Sequence, residues 1–208
     1  MELFAFDKAF YDKGPKLVAG VDEAGRGPLA GPVVASAVAL SKNCIIDNLN
    51  DSKKLSPKKR EILFKIIKEK ALFYAISVVD SNTIDKINIL QATLLAMKNS
   101  ILQLEKKPDI CLIDGNCKVK QLDIVQETIV AGDAKSAAIA AASVLAKVTR
   151  DTLMDKYAKE YPLYGFEKHK GYGTKKHIEA IKEYGICPIH RKSFAPICNI
   201  NQLKQRIG

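Results

Sequence analysis

Four acidic residues stand where apolar runs give out: Asp22 and Glu23 after "KLVAGV", Asp114 after "DICLI", and Asp133 in "AGDAKS". Acids at strand ends can converge on one edge of a sheet. An all-oxygen cluster with few histidines near it suits Mg²⁺ or Mn²⁺ rather than zinc. Two such ions could activate water and stabilise the leaving oxygen in phosphodiester hydrolysis. Asp133 and Asp114 each have a plainer use as well. Asp133 fits an N-cap for a following helix, and Asp114 before Gly115 fits a turn. Asp22 and Glu23 resist such readings, because adjacent unpaired acids at the end of an apolar strand repel each other and lose hydration. A cation answers both problems. Strand alternation sends neighbours to opposite faces, so the chain is expected to bend at Glu23 if both acids are to reach one site.

The same stretch, "GVDEAGRGPLAGP", carries Gly25, Gly27 and Gly31. Their spacing is one residue off a dinucleotide-binding fingerprint, and "PVVASAVAL" rather than a helix follows. The glycines instead permit an unusual turn whose bare backbone can approach a ligand closely.

The elements that must position these groups follow from hydrophobic periodicity. After a polar start, "KLVAGVDEAG" and "GPVVASAVAL" read as an antiparallel pair of strands. "LSPKKREILFKIIKEKA" reads as a helix with Ser56 as N-cap, Pro57 at its first position, and Ile62, Leu63, Ile66 and Ile67 on one face. "LFYAISVVD" is a further strand. A long helix then carries Ile84, Ile87, Leu90, Leu94, Met97, Ile101 and Leu104 near helical spacing. "PDICLIDG" and "DIVQETIV" are two more strands. "SAAIAAASVLAKVTRDTLMDKYAKEY" is a helix whose small residues let it lie close to a sheet. Within it, Asp151 reads as structural or as a member of a surface ion pair. The order β-β-α-β-α-β-β-α predicts an α/β domain with a mixed sheet. Past Pro162 the texture turns glycine-rich, aromatic and basic, so the expected division is 1–162 and 163–208.

Composition bounds the function class. The 208 residues are 47% apolar with a formal charge of +10, which fits a polyanionic partner as well as a lysine-rich genomic bias. The apolar runs are too short to span a bilayer, and "MELFAFDKAFYDKG" lacks a secretory pattern, so a cytoplasmic protein without membrane association is expected. Five cysteines without a C-x-x-C pair read as free thiols. His169, His177 and His190 look scattered, and solvent exposure or duplex contact is their expected use.

With "GVDEAGRGPLAGPVVASAV", "DSKKLSPKKRE", "IDG", "GDAKS", "AAASVLAKVTRD", "YGFEKHKGYGT" and "HRKSFAP" in this order, the chain closely resembles the bacterial ribonuclease HII family, the type 2 ribonucleases H. The resemblance runs from about Leu17 to Pro196. It implies a ribonuclease H-like mixed sheet flanked by helices, with a small helical C-terminal portion that is basic and binds substrate. It also implies Mg²⁺- or Mn²⁺-dependent cleavage of RNA in RNA/DNA hybrids, and cutting 5′ of single ribonucleotides embedded in duplex DNA. The expected ends are 3′-hydroxyl and 5′-phosphate, and the expected roles are ribonucleotide and RNA primer removal during replication. Carried over by motif, Asp22, Glu23, Asp114 and Asp133 match the metal-binding, catalytic acids.

By the same resemblance, Gly25-Arg26-Gly27 looks like the segment that senses the ribonucleotide 2′-hydroxyl through the backbone, with both glycines free of Cβ for that reason. Lys53 and Lys54 match a phosphate-binding segment before a helix N-terminus. Tyr172 matches a tyrosine that packs on a sugar at the DNA–RNA junction, and Lys168, His169 and Lys170 are candidate backbone contacts. A monomer is expected, and the tail "NQLKQRIG" lacks the paired aromatics of a sliding-clamp peptide. The competing reading is a catalytically silent hybrid-binding protein. Four intact acids argue against it, since binding a polyanion gains nothing from clustered negative charge.

Overall fold

A computed structural model describes residues 2–199. Five strands form one sheet: β1 (Val18–Ala24), β2 (Val33–Ala39), β3 (Phe73–Val79), β4 (Ile110–Asp114) and β5 (Val125–Ile129), in the order β3-β2-β1-β4-β5. The first three strands are antiparallel, whereas β4 runs parallel to both β1 and β5. The predicted mixed sheet and element order are therefore present. The helices are α1 (Glu2–Tyr11), α2 (Pro57–Lys70), α3 (Ser81–Leu102), α4 (Ala137–Glu160), α5 (Phe166–His169) and α6 (Lys175–Tyr184). Among the described residues, no helix is long and apolar enough to cross a membrane.

Period-two alternation assigns each face of the sheet its own helix. Ala19, Val21, Ala35 and Ala37 pack against Ala92, Ala96 and Met97 of α3. On the other face Val18, Leu112 and Val38 meet the alanine-rich start of α4. That helix lies so close that a Cβ on Gly20 would sit 2.1 Å from the Ala138 carbonyl carbon. The small residues of α4 and the bare Cα of Gly20 are thus one packing solution, and it brings the N-terminal end of α4 against the strands.

Caps and breaks explain the helix boundaries. Ser56 accepts from Lys59 N–H with Pro57 first in α2, as the sequence predicts. Ser136, not Asp133, caps α4 by accepting from Ile139 N–H at 3.2 Å; Asp133 lies upstream in a 3-10 turn, Gly132–Ala134. Within α3, Asn88 adopts φ +64° and its side chain accepts from Gln91 N–H, restarting the helix after a kink. The change of phase turns Leu90 outward, contrary to the single periodic face expected. In α2, Ile62 is exposed while Leu63 and Ile67 are buried, so the apolar stripe is narrower than predicted. The polar start is itself helical: buried Asp7 of α1 accepts from Ala138 N–H at 2.8 Å, and Tyr11 hydroxyl donates to the Leu40 carbonyl. Residues beyond Ala158 pack Tyr164, Phe166, Ile181 and Ile189 onto Leu29, Ala30 and Met154, fastening the C-terminal segment to the loop after β1.

Candidate active site

The parallel register between β1 and β4 assembles the acids. Val21 pairs with Ile113, so the next residues, Asp22 and Asp114, stand side by side at the carboxyl ends of their strands on the α4 face. Glu23 follows on the opposite face, yet a ligand oxygen from each of Asp22, Glu23 and Asp114 falls within 4.8 Å of the others. The chain does not leave the sheet at Glu23, where a bend is expected, because its ladder with β2 continues through Glu23 to Ala24. The longer glutamate side chain reaches round the strand end instead. Asp133 stands outside this trio, with its Oδ2 3.2 Å from Lys53 Nζ.

The electrostatics of the trio would suit a cation. Burial pushes Asp22 well above the ordinary carboxylate range, and the charges of Glu23 and Asp114 act in the same direction. Burial also raises Glu23, against the pull of Arg26, whose Nη1 lies 3.3 Å from Glu23 Oε1. Asp114 is raised by burial despite accepting from Gly132 N–H at 2.7 Å. An all-carboxylate set held this close and this dry fits a hard divalent cation, which would restore the charged forms.

Beside the acids, the turn from Gly25 to Pro32 is held from behind by two arginines that the sequence reading passed over. Arg150 donates from Nε to Pro32 O at 3.0 Å, from Nη2 to Ala30 O at 3.1 Å and from Nη1 to Lys170 O at 3.0 Å. Arg191 donates to the carbonyls of Gly25, Arg26, Gly31 and Pro32. Both side chains are almost fully buried. The two glycines of the turn have different surroundings. Gly25 is buried at φ +100°, and a Cβ there would sit 2.1 Å from Arg150 Nε. Gly27 is exposed, and a Cβ there would meet only Tyr172 Cε1, at 3.7 Å.

The basic candidates divide similarly. Lys53 lies in a 3-10 turn, Ser52–Lys54, beside Asp133. Burial opposes its charge, but Asp133, Asp51 and Asp22 outweigh it and hold its ammonium above the ordinary value. Lys54 is exposed in the same turn and, among the described residues, makes none of the site's contacts. Tyr172 is 46% exposed, with the Arg150 guanidinium 6.0 Å from its ring centroid. Lys168, Lys170 and Tyr172 line a cleft of about 650 Å³ together with Arg60, Lys147 and Asp151. Lys170 is ion-paired with Asp155. Asp151 pairs with Lys147 at 2.8 Å and lies 3.9 Å from Arg60.

Two of the three histidines are not scattered and exposed, contrary to expectation, whereas His169 is half-buried and lines the cleft with Lys168 and Lys170. His177 and His190 are buried, and their Nε2 atoms are 3.0 Å apart. Cys187 N–H donates to His190 Nδ1, so the His190 proton sits on Nε2; the Tyr172 carbonyl can only accept, so the His177 proton sits on Nδ1. The chain runs from Cys187 N–H through both neutral rings to the carbonyl of Tyr172. Burial pushes each imidazole down to about 4. With unfolded values near 6.5, these rings stabilise the fold fully above pH 6.5 and lose that contribution as pH falls toward 4. Ring ¹⁵N spectra should show the Nδ1–H tautomer of His177 and the Nε2–H tautomer of His190 at every pH from 8 to about 5. An imidazolium signature from either ring at pH 6 would disprove the chain.

The Ribonuclease HII family profile matches residues 19–197. Ribonuclease HII of Endomicrobium trichonymphae is 66% identical over 198 residues, covering 95% of this chain and 94% of its own. That of Acholeplasma laidlawii is 55% identical over 201 residues, covering 97% of each. The crystal structure of ribonuclease H2 from Pyrococcus horikoshii OT3 matches with a TM-score of 0.77 at 28% identity, over 91% of this chain and 99% of that one. Identity sustained at this level from β1 to the C-terminal segment means that the chain belongs to the ribonuclease HII family, divalent-metal-dependent endonucleases that hydrolyse RNA paired with DNA.

Proposed function

We propose that this enzyme, besides cleaving RNA/DNA hybrids, cuts duplex DNA on the 5′ side of a single embedded ribonucleotide, leaving 3′-hydroxyl and 5′-phosphate ends. The observation that carries the reading is the trio Asp22, Glu23 and Asp114 within 4.8 Å, next to a glycine turn whose exposed part faces Tyr172. Asp22, Glu23 and Asp114, joined by Asp133, would hold two ions of Mg²⁺ or Mn²⁺. Bound there, such ions supply a water nucleophile and charge neutralisation at the scissile phosphate.

The chain's own groups orient the substrate. The Gly25–Gly27 backbone approaches the sugar, where a 2′-hydroxyl separates RNA from DNA. Tyr172 packs its exposed ring on the sugar beyond the junction. Lys53 and Lys54 hold phosphate near the acids, while Lys168 and Lys170 hold it along the cleft. Residues 163–208 then form the substrate-binding portion and 1–162 the catalytic one. The tail whose composition argues against a clamp peptide, 201–208, lies outside the described residues.

The test offers duplex DNA with one ribonucleotide beside a uniform hybrid, in Mg²⁺, Mn²⁺ or EDTA, and maps the cuts. The expected result is a single cut 5′ of the ribonucleotide, abolished by EDTA and by a deoxyribonucleotide at that position. Hybrid cleavage with an uncut single-ribonucleotide duplex would overturn the incision reading.

A further inference from the structure

We propose that Arg191 is a positioning residue for ribose recognition: it holds the carbonyls of Gly25 and Arg26 inward so that the peptide N–H groups of Arg26 and Gly27 face the substrate sugar as a pair of donors. The proposal rests on the reading that this turn contacts the 2′-hydroxyl.

The geometry comes from the planar trans peptide, in which C=O and N–H point opposite ways. Arg191 Nη2 donates to Gly25 O at 2.6 Å and Nη1 to Arg26 O at 2.8 Å. These oxygens belong to the peptides that carry the N–H groups of Arg26 and Gly27. Pulling both oxygens onto one buried guanidinium therefore turns both hydrogens away from it, toward the surface where Arg26 and Gly27 are exposed. Neither N–H has an acceptor among the described residues. Successive main-chain N–H groups aimed at one point form a concave donor site. A cation on the oxygen end of each peptide polarises it and strengthens the donor at the other end. A ribose hydroxyl oxygen can accept from such a site, and a deoxyribose offers nothing there.

Two further observations favour a positioning role over packing. Arg191 is wholly buried and, among the described residues, has no carboxylate within ion-pairing distance. Burial, together with the charge of Arg150, lowers it to about 9. Its surroundings are four carbonyls and the face of Phe194, whose ring centroid lies 5.0 Å from the guanidinium. Burying a cation without a carboxylate partner is costly, and an apolar side chain would fill the same space without that cost. Arg191 is also clamped to the segment it serves: its own N–H donates to Leu29 O at 2.8 Å, and Gly31 N–H donates to Ile189 O at 2.8 Å. The guanidinium therefore cannot drift relative to the turn.

Arg150 provides the control, being equally buried but bound to Pro32, Ala30 and Lys170 rather than to Gly25 or Arg26. The experiment compares wild type, Arg191→Lys and Arg150→Lys. It measures thermal midpoints and, with Ca²⁺ in place of a catalytic metal, affinity for a DNA duplex carrying one ribonucleotide and for the same duplex with deoxyribose throughout. Wild type should prefer the ribonucleotide duplex by about fivefold, the size of one net hydrogen bond. Arg191→Lys should bind the all-DNA duplex as wild type does and lose the preference. Arg150→Lys should lower the midpoint comparably and keep the preference. A preference retained by Arg191→Lys, or lost equally by both variants, would overturn the proposal. If Arg191→Lys does not fold, ¹⁵N-labelled wild type decides: the Arg26 and Gly27 amide resonances should shift with the ribonucleotide duplex and not with its deoxy counterpart, and unshifted resonances overturn the assignment. A wild-type protein that binds both duplexes alike sinks the 2′-hydroxyl reading itself, an outcome distinct from a variant that keeps a wild-type preference.

Discussion

Asp114→Asn should lower cleavage of an RNA/DNA hybrid by roughly a hundredfold or more, because a charged metal ligand contributes several kcal/mol to stabilising the reacting phosphate. The fold should survive. An asparagine oxygen at the Oδ1 position can still accept the Gly132 N–H, and Asp114 is only partly buried. Stability separates a metal ligand from a framework residue. The folded pKa values of Asp22, Glu23 and Asp114 are all raised, chiefly by burial. A raised carboxyl favours the fold at low pH and loses that contribution as pH climbs from the unfolded value through the folded one. In EDTA at neutral pH the trio is therefore destabilising, so removing one charge should raise the melting temperature. In wild type, Mg²⁺ should raise it by mass action, about 2.7 kcal/mol at a hundred times the dissociation constant. That increment should shrink in Asp114→Asn. Near-normal turnover, or an undiminished response to Mg²⁺, would remove Asp114 from the metal site.

How far such residues are legible in the sequence depends on where their partners lie. Ser56 and Pro57 announce α2 because a helix start is settled within four residues. Asp22, Glu23 and Asp114 are legible because an acid interrupting an apolar run is a local anomaly. Their convergence is not local: it needs the parallel pairing of β1 with β4, whose partners are 92 residues apart. Arg150 and Arg191 look like two more bases in basic segments. What distinguishes them is a set of main-chain carbonyls as many as 166 residues away, and no side-chain pattern encodes those. The same holds for His177 and His190, whose 13-residue spacing means nothing until Cys187 and Tyr172 fix their tautomers. Asn88 was available as a signal, since asparagine tolerates positive φ, but an unbroken apolar period masked it. The carboxylates could be read because their chemistry is strange in its local setting; the scaffold beneath the glycine turn could not, because each of its parts is ordinary alone.

The glycine turn yields the second large effect, and it differs between two residues that the sequence treats alike. Gly25→Ala should lower the melting temperature by roughly 10 °C, the equivalent of about 3 kcal/mol in a domain of this size. A non-glycine residue at positive φ costs about 1–3 kcal/mol. Here the new methyl would also sit 2.1 Å from Arg150 Nε and 2.8 Å from Pro32 O, in the very contact that anchors the turn. Any loss of cleavage in this variant would follow the loss of fold. Gly27→Ala is the informative change, because its methyl meets only Tyr172 Cε1, at an ordinary 3.7 Å. Its melting temperature should stay within about 2 °C of wild type, as for a surface substitution. Its N–H remains in place, so the variant tests only whether the backbone must come closer to the sugar than a methyl allows. A close approach predicts at least about a tenfold loss on the single-ribonucleotide duplex, since a displacement near 1 Å from productive geometry can cost about a hundredfold. Full activity with Gly27→Ala would show that the sugar stands off from Gly27, and would shift its recognition to the Arg26 N–H and the ring of Tyr172.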